Sequence, residues 1–185
     1  MIYDLNYSGL EIASAIQGIL IGNDVKIYGL SINSKEKLNV PYCFFAIRGK
    51  NKNGNDFINE AIKNGARLIV TDEKKAYPVS TIYVKNTTLA LGLLAKKHKK
   101  STKIVAVTGS SGKTTTKNMI ISVLKEKFSV CGTKENENNE IGVALTLLSI
   151  KKEEFVAAEK TMGASNLRII SVFTEYVDLY TFVNP

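Results

Sequence analysis

Residues 108–116 read Thr-Gly-Ser-Ser-Gly-Lys-Thr-Thr-Thr and directly follow the apolar run Ile104-Val105-Ala106-Val107. Their types and order suit one purpose, holding a chain of phosphates. Gly109 and Gly112 carry no Cβ, so backbone N–H groups can wrap closely around an anion. A helix beginning behind them aims its N-terminal N–H groups and positive dipole end at the same point. Lys113 adds a mobile cation, and the Thr114 hydroxyl is suited to hold Mg²⁺. The stretch departs from the strict G-x-x-x-x-G-K-[ST] loop, because Val107 stands where that pattern has its first glycine. The bland alternative is a Gly/Ser turn ahead of a helix that happens to open with Lys-Thr. Strand, glycines, Lys-Thr and helix nevertheless fall in the order that phosphate binding needs, and a nucleoside triphosphate is the natural ligand.

The elements around this loop follow from apolar periodicity and turn residues. Ser8-Gly9-Leu10-Glu11 is a capping box. Ile12, Ile16, Ile19 and Leu20 extend it as an amphipathic helix to about Leu20. Val25 to Ile32 reads as a strand closed by the polar turn Asn33-Ser34-Lys35. Tyr42 to Ile47 is a second strand, followed by the basic, glycine-bearing loop Arg48 to Gly54. Asp56 reads as the cap of a helix with Phe57, Ile58, Ala61 and Ile62 on its apolar side, ended by Gly65. Strands over 67–71 and 81–84 come next. A helix capped by Thr87 or Thr88 then buries Leu89, Leu93 and Leu94.

Beyond the phosphate loop, a helix from Lys113 to about Lys127 buries Met119, Ile120, Val123 and Leu124. A short strand at 129–131 and a polar loop from Gly132 to Glu140 follow. The periodicity then predicts a helix over 141–148, a strand over 154–158, a helix over 167–176 and a strand over 177–183. Alternating strands and helices imply an α/β fold with a parallel sheet covered on both faces. Residues 1–100 are expected to form a small α/β unit, and 101–185 a P-loop parallel-sheet unit that is incomplete.

The chain has 185 residues and a formal charge of +8, with a pI of about 9.4. That balance favours anionic partners. Cys43 and Cys131 stand apart, so there is neither a zinc signature nor a disulfide framework, and a reduced cytosolic setting fits. His98, the single histidine, lies in the basic run at 96–100 and reads as solvated surface. No apolar run reaches the ~18 residues of a membrane span, and no basic leader opens the chain.

Three stretches resemble the Mur ligases, ATP-dependent amide-forming enzymes that build the peptidoglycan stem peptide. The first is the Thr108–Thr116 loop. The second, Asn136 to Leu148, is similar to the N-x-N-N-x-I-G-x-P-L-T-L-L stretch of the D-alanyl-D-alanine-adding members. The third, Gly49 to Phe57 with the helix to Ala66, is similar to their K-G-x-x-x-D-G-H-x-F and F-I-x-x-A-I-x-x-G-A segments.

The resemblance implies a three-domain enzyme. Its first domain holds the uridine nucleotide of a UDP-N-acetylmuramoyl peptide, its second binds ATP and Mg²⁺, and its third closes over ATP. The peptide carboxylate attacks the γ-phosphate to give an acyl phosphate, and the amine of D-Ala-D-Ala displaces phosphate. Lys113 would hold the β- and γ-phosphates as the catalytic cation, and Thr114 would coordinate Mg²⁺. Gly109, Ser110, Ser111, Gly112 and Thr115 would line the phosphates, with Asn136 and Asn139 near nucleotide and substrate. Asn33-Ser34-Lys35 stands where the family has D-S-R beside the uridine nucleotide, and Gly49 falls in the other substrate segment.

The family's second metal ligand lies in E-M-G-A, but this chain reads Glu159-Lys160-Thr161-Met162-Gly163-Ala164. Either Glu159 or Thr161 takes that place, and a carboxylate suits Mg²⁺ better. The implied protein is a cytoplasmic monomer with no nucleic-acid or membrane partner, and this chain alone is expected not to complete ligation. Three other readings stand beside it: an amino-acid-adding ligase of the same family, a degenerate Mur-like scaffold, and a nucleic-acid-dependent P-loop ATPase.

Overall fold

A computed structural model describes residues 5–49, 52–99, 101–109, 111–133, 139–159 and 179–183, with Glu159 and 179–183 described by backbone alone. The chain divides into two compact units, Met1–Leu94 and Ala95–Pro185.

The first unit contains β1 (Tyr7–Ser8), α1 (Gly9–Ala15), β2 (Ile19–Ile21), β3 (Lys26–Ile27), β4 (Gly29–Ser31) and β5 (Tyr42–Phe45). A 3₁₀ turn (Gly54–Phe57), α2 (Ile58–Lys63), β6 (Ala66–Thr71) and β7 (Ser80–Tyr83) follow, and α3 (Thr87–Lys99) runs on into the second unit. Five strands form one sheet in the order β2-β7-β6-β5-β4. The pairs from β4 to β7 are parallel, and β2 joins the edge antiparallel. All four residues of β5 are buried, as a strand covered on both faces requires. Tyr42, Phe44, Ile58, Ala61 and Ile69 form its apolar core.

The capping box is formed: Glu11 N–H donates to Ser8 Oγ at 3.2 Å and Ser8 N–H to Glu11 Oε2 at 2.7 Å. The helix it opens does not reach Leu20. It ends at Ala15, and Ile19–Ile21 form the edge strand β2. Gly18 enforces the change, since a Cβ there would lie 2.4 Å from Ile82 Cγ2 on β7. The expected strand over 25–32 is split into β3 and β4. Asp56 is not the cap: Asn53 caps the 3₁₀ turn by accepting from Asn55 N–H, and α2 continues from that turn. Asn86, rather than either threonine, accepts the Leu89 N–H at 2.8 Å at the start of α3. Leu94 is buried there, while Leu89 and Leu93 are half-buried.

The second unit contains β8 (Lys103–Gly109), α4 (Lys113–Lys125), β9 (Val130–Gly132), α5 (Glu140–Leu148), β10 (Phe155–Glu159) and β11 (Leu179–Val183). Its sheet has the order β11-β8-β10-β9, and every pair is parallel. The strand leading into the phosphate loop is therefore paired on both sides. Seven residues of α5, Gly142–Leu148, are buried. The buried side of α4 differs from the expected one. Met119 and Val123 are 63% and 72% exposed, while Ile120 and Leu124 are half-buried and Lys117 is fully buried. His98 is not solvated surface: it is half-buried, with Nε2 2.9 Å from the Ile150 carbonyl oxygen. The helix expected over 167–176 lies outside the described residues. Among the described residues no helix is long and apolar enough to cross a membrane.

Candidate nucleotide and substrate sites

Parallel strands deliver their loops to one edge of a sheet, the carboxyl edge, which is where α/β proteins bind ligands. In the second unit β8 ends at Gly109, with φ 152°. Ser110 lies outside the described residues. Gly112 follows with φ 70°, in the left-handed region, where a Cβ costs about 1–2 kcal/mol. It forms the N-cap of α4, and among the described residues no side chain caps that helix end. Its carbonyl accepts the Thr116 N–H at 2.9 Å, the first helical bond. The result is a glycine bend with a helix N-terminus directly behind it, an anion-binding geometry. Lys113 Nζ donates to the Gly109 carbonyl at 2.9 Å, so its ammonium folds back over the bend. Ser111, Thr114 and Thr115 line the start of the helix beside it; Ser111 and Thr115 are exposed. Thr108 Oγ1, at the strand end, is buried and has no hydrogen-bond partner among the described residues. These features fit a bound phosphate chain.

The neighbouring strands bring further residues to this edge. Glu159 closes β10 and is registered with Val107, so the backbone sets it beside the end of β8. Thr161 and Asn136 lie outside the described residues. Asn139 is described and serves the backbone, since its Oδ1 accepts the Gly142 N–H at 2.8 Å and caps α5. Among the described residues no group of His, Cys, Asp and Glu is assembled that could hold a metal. A cavity of about 410 Å³ between His98, Lys103, Phe128 and Phe155 lies at the opposite, amino edge of β8 and β10, away from the loop.

In the first unit, Asn33-Ser34-Lys35 follows β4 and Gly49 follows the adjacent β5, so both segments reach the carboxyl edge. The Lys35 N–H donates to Asn33 Oδ1 at 3.1 Å, which closes the turn on itself. Ser34 is buried; its hydroxyl donates to Glu60 Oε2, and Asn64 Nδ2 donates to its carbonyl at 2.7 Å. The helix α2 and the residue that ends it thus grip this turn. Gly49 N–H donates to the Lys52 carbonyl at 2.9 Å.

A polar network that sequence reasoning missed supports the Gly49 loop. Arg48 Nε meets Asp72 Oδ2 at 3.2 Å, and its Nη2 meets Glu73 Oε1 at 3.3 Å. Asn55 Nδ2 donates to Asp72 Oδ1 at 2.6 Å, and Thr71 Oγ1 donates to Asn55 Oδ1 at 2.7 Å. Burial pushes the Asp72 pKa up, but the Asn55 and Arg48 hydrogen bonds outweigh it and hold the carboxyl below its ordinary value. The polar pair Asp72-Glu73 directly after an apolar strand was the available signal.

Residues 107–176 match the Mur ligase middle domain, and residues 26–99 match the Mur ligase family, catalytic domain. The chain belongs to the Mur ligase family. Among its relatives, the UDP-N-acetylmuramoyl-tripeptide–D-alanyl-D-alanine ligase of Buchnera aphidicola subsp. Baizongia pistaciae is 39% identical over 153 residues, 77% of this chain and 33% of that protein. The ligase of the same name from Haemophilus influenzae is 34% identical over 182 residues, 94% of this chain and 39% of that protein. The MurF ligase from Thermotoga maritima, solved in complex with ADP, superposes with a TM-score of 0.74 at 36% identity, over 84% of this chain and 37% of that one. The chain thus spans between a third and two fifths of the length of these curated relatives.

Proposed function

We propose that this chain supplies the substrate-nucleotide and ATP-binding parts of a D-alanyl-D-alanine-adding Mur ligase, a cytoplasmic monomeric enzyme. The observation that carries this reading is the pair of glycines Gly109 and Gly112 with a helix N-terminus and Lys113 behind them. It sits in a chain similar to an ADP-bound ligase of that kind. Residues 1–100 act as the uridine-nucleotide domain and 101–185 as part of the ATP-binding domain.

Phosphoryl transfer depends on neutralising charge that spreads over the phosphate oxygens, more than on covalent chemistry by the protein. Lys113 supplies a full positive charge at the β- and γ-phosphates, exchanging the Gly109 carbonyl for phosphate oxygen. The backbone N–H groups of 109–115 and the hydroxyls of Ser110, Ser111 and Thr115 line the same anion. Mg²⁺, held by Thr114 and Glu159, would share that charge and orient the phosphate chain. Asn136 and Asn139 serve the nucleotide and the substrate. In the first unit, Asn33, Ser34, Lys35 and Gly49 hold the uridine nucleotide. Lys35 acts there as a point charge, without the bidentate fork of an arginine. The substrates are a UDP-N-acetylmuramoyl tripeptide and D-Ala-D-Ala.

Calorimetric titration with Mg-ADP tests the reading. The chain is expected to bind in the micromolar range, and Lys113→Met to lose at least tenfold in affinity. No heat at millimolar Mg-ADP would instead mark a degenerate scaffold. The same titration with UDP-N-acetylmuramoyl tripeptide tests the first unit. D-Ala-D-Ala against single amino acids, in the presence of both nucleotides, separates the dipeptide-adding from the amino-acid-adding enzyme.

A further inference from the structure

Lys117 lies one helical turn beyond Lys113 on α4 and is only 3% exposed. Lysine is almost never buried that deeply unless paired. Its Nζ donates to the Thr133 carbonyl at 2.8 Å. Thr133 is itself 4% exposed, and its N–H donates to the Ala157 carbonyl of β10 at 3.1 Å. It is the residue at which the chain leaves β9 for the segment that leads to Asn139. At the preceding Gly132, a Cβ would lie 2.6 Å from Ile121 Cδ1 of α4 and 3.0 Å from the Ala157 carbonyl oxygen. The end of β9 is therefore pressed against α4 and β10 as closely as glycine allows.

The sheet order sets β9 two strands from β8, with β10 between them. At the usual strand spacing this is about 10 Å along the carboxyl edge. One helix thus serves two places on that edge. Its first residue, Lys113, covers the phosphate loop, and Lys117 ties down the exit of the asparagine segment. A methionine or leucine of similar reach could fill the same space but could not donate to a carbonyl.

We propose that Lys117 is a positioning residue: a strut from the phosphate-binding helix to the Thr133 carbonyl that fixes where the asparagine segment begins. Through it, Asn139 is held in register with the nucleotide. The strut itself stands on geometry alone, while its consequence for ligand binding rests on the ligase reading above.

The test compares the chain with Lys117→Met and Lys117→Arg by residue-resolved amide hydrogen exchange and by Mg-ADP calorimetry. In Lys117→Met the amides of Thr133 and of 139–143 are expected to exchange at least tenfold faster, with β8 and 145–148 within threefold of the parent. Mg-ADP affinity is expected to fall at least threefold in Lys117→Met, as Asn139 loosens, and to recover in Lys117→Arg; unchanged affinity in Lys117→Met overturns the consequence for binding. Lys117→Arg, which keeps a donor, is expected to restore slow exchange. Unchanged exchange at 133–143 in Lys117→Met overturns the proposal. So does faster exchange spread evenly over β8 and α5, which marks a lysine that merely supports the core. If Lys117→Met does not fold, Lys117→Arg decides by itself: parent-like exchange at 133–143 supports the strut, and tenfold faster exchange overturns it. If the parent chain binds no Mg-ADP, the ligase reading falls, and the exchange data still decide the strut.

Discussion

Asn139 has one observed role, as a helix cap, and one proposed role, in the ligand site, and the two pull apart under substitution. Its Oδ1 accepts the Gly142 N–H at 2.8 Å, and Gly142 is buried. Replacing Asn139 with Ala removes that acceptor. An N-cap loss of this kind costs about 1 kcal/mol, and a buried N–H left without a partner moves the cost towards about 2 kcal/mol. For a cooperative unit of the size of 95–185, each kcal/mol corresponds to roughly 4–8 °C in Tm, so Asn139→Ala should melt roughly 4–16 °C lower. Asn139→Ser keeps an oxygen at the cap position, where serine and asparagine rank equally, and should melt close to the parent. Both variants lose the amide donors that the proposed ligand site uses. Stability and affinity should therefore separate: Ala loses both, while Ser loses only affinity for Mg-ADP or UDP-N-acetylmuramoyl tripeptide. Thermal melts and calorimetry on the two variants read this directly. An unmoved melt for Asn139→Ala refutes the cap argument. Full affinity for both ligands in Asn139→Ser refutes the placement of Asn139 in the site, leaving it a helix cap and nothing more.

Two further outcomes follow from the first unit. Gly54→Ala would set a Cβ 2.5 Å from Ile47 N and 2.6 Å from both the Ala46 carbonyl carbon and the Ile47 oxygen, all backbone atoms. Overpacking of that kind costs about 1–3 kcal/mol, so the urea midpoint of this unit should fall with the m-value unchanged. Asp72 carries the pH dependence. Its folded pKa lies below the reference 3.8, so its contribution is fully present above that value and is lost as pH falls through the lower folded value. The stability gap between the chain and Asp72→Asn should be constant above about pH 5 and should shrink on acidification below the reference value. A gap that widens there would show that the Asn55 and Arg48 hydrogen bonds do not favour the charged carboxylate.

Much of the candidate site's backbone geometry was legible because its signals are local. A β-branched strand, glycines, Lys-Thr and a helix occupy consecutive positions, and each constrains the next through backbone geometry alone. The capping box at Ser8 and the C′ role of Gly65, with φ 102°, are equally local. Ile19–Ile21 was not legible in this way. Its apolar residues satisfy a helical spacing from Ile12 as well as a short strand, and the choice is made by Gly18 meeting Ile82, a contact between segments far apart in the chain. His98 was misread for the same reason. Its basic neighbours argue for solvent, while its actual partner is the Ile150 carbonyl, distant in sequence.

In α4 the two kinds of information combine. Hydrophobicity ranks Met119 and Val123 as core and Lys117 as surface, and the helix does the reverse. Position 113 must stand at the glycine bend for the loop to work, and that alone fixes the rotation of the helix. With 113 at the bend, residues 116, 117, 120, 121 and 124 follow on the same side at helical spacing, and these are the buried and half-buried positions of α4. The residue at the bend therefore sets the face, and the face places a lysine where it donates to a strand-end carbonyl. Taken from loop to rotation to burial, Lys117 becomes an expected polar core residue; taken from hydrophobicity alone, it is an anomaly.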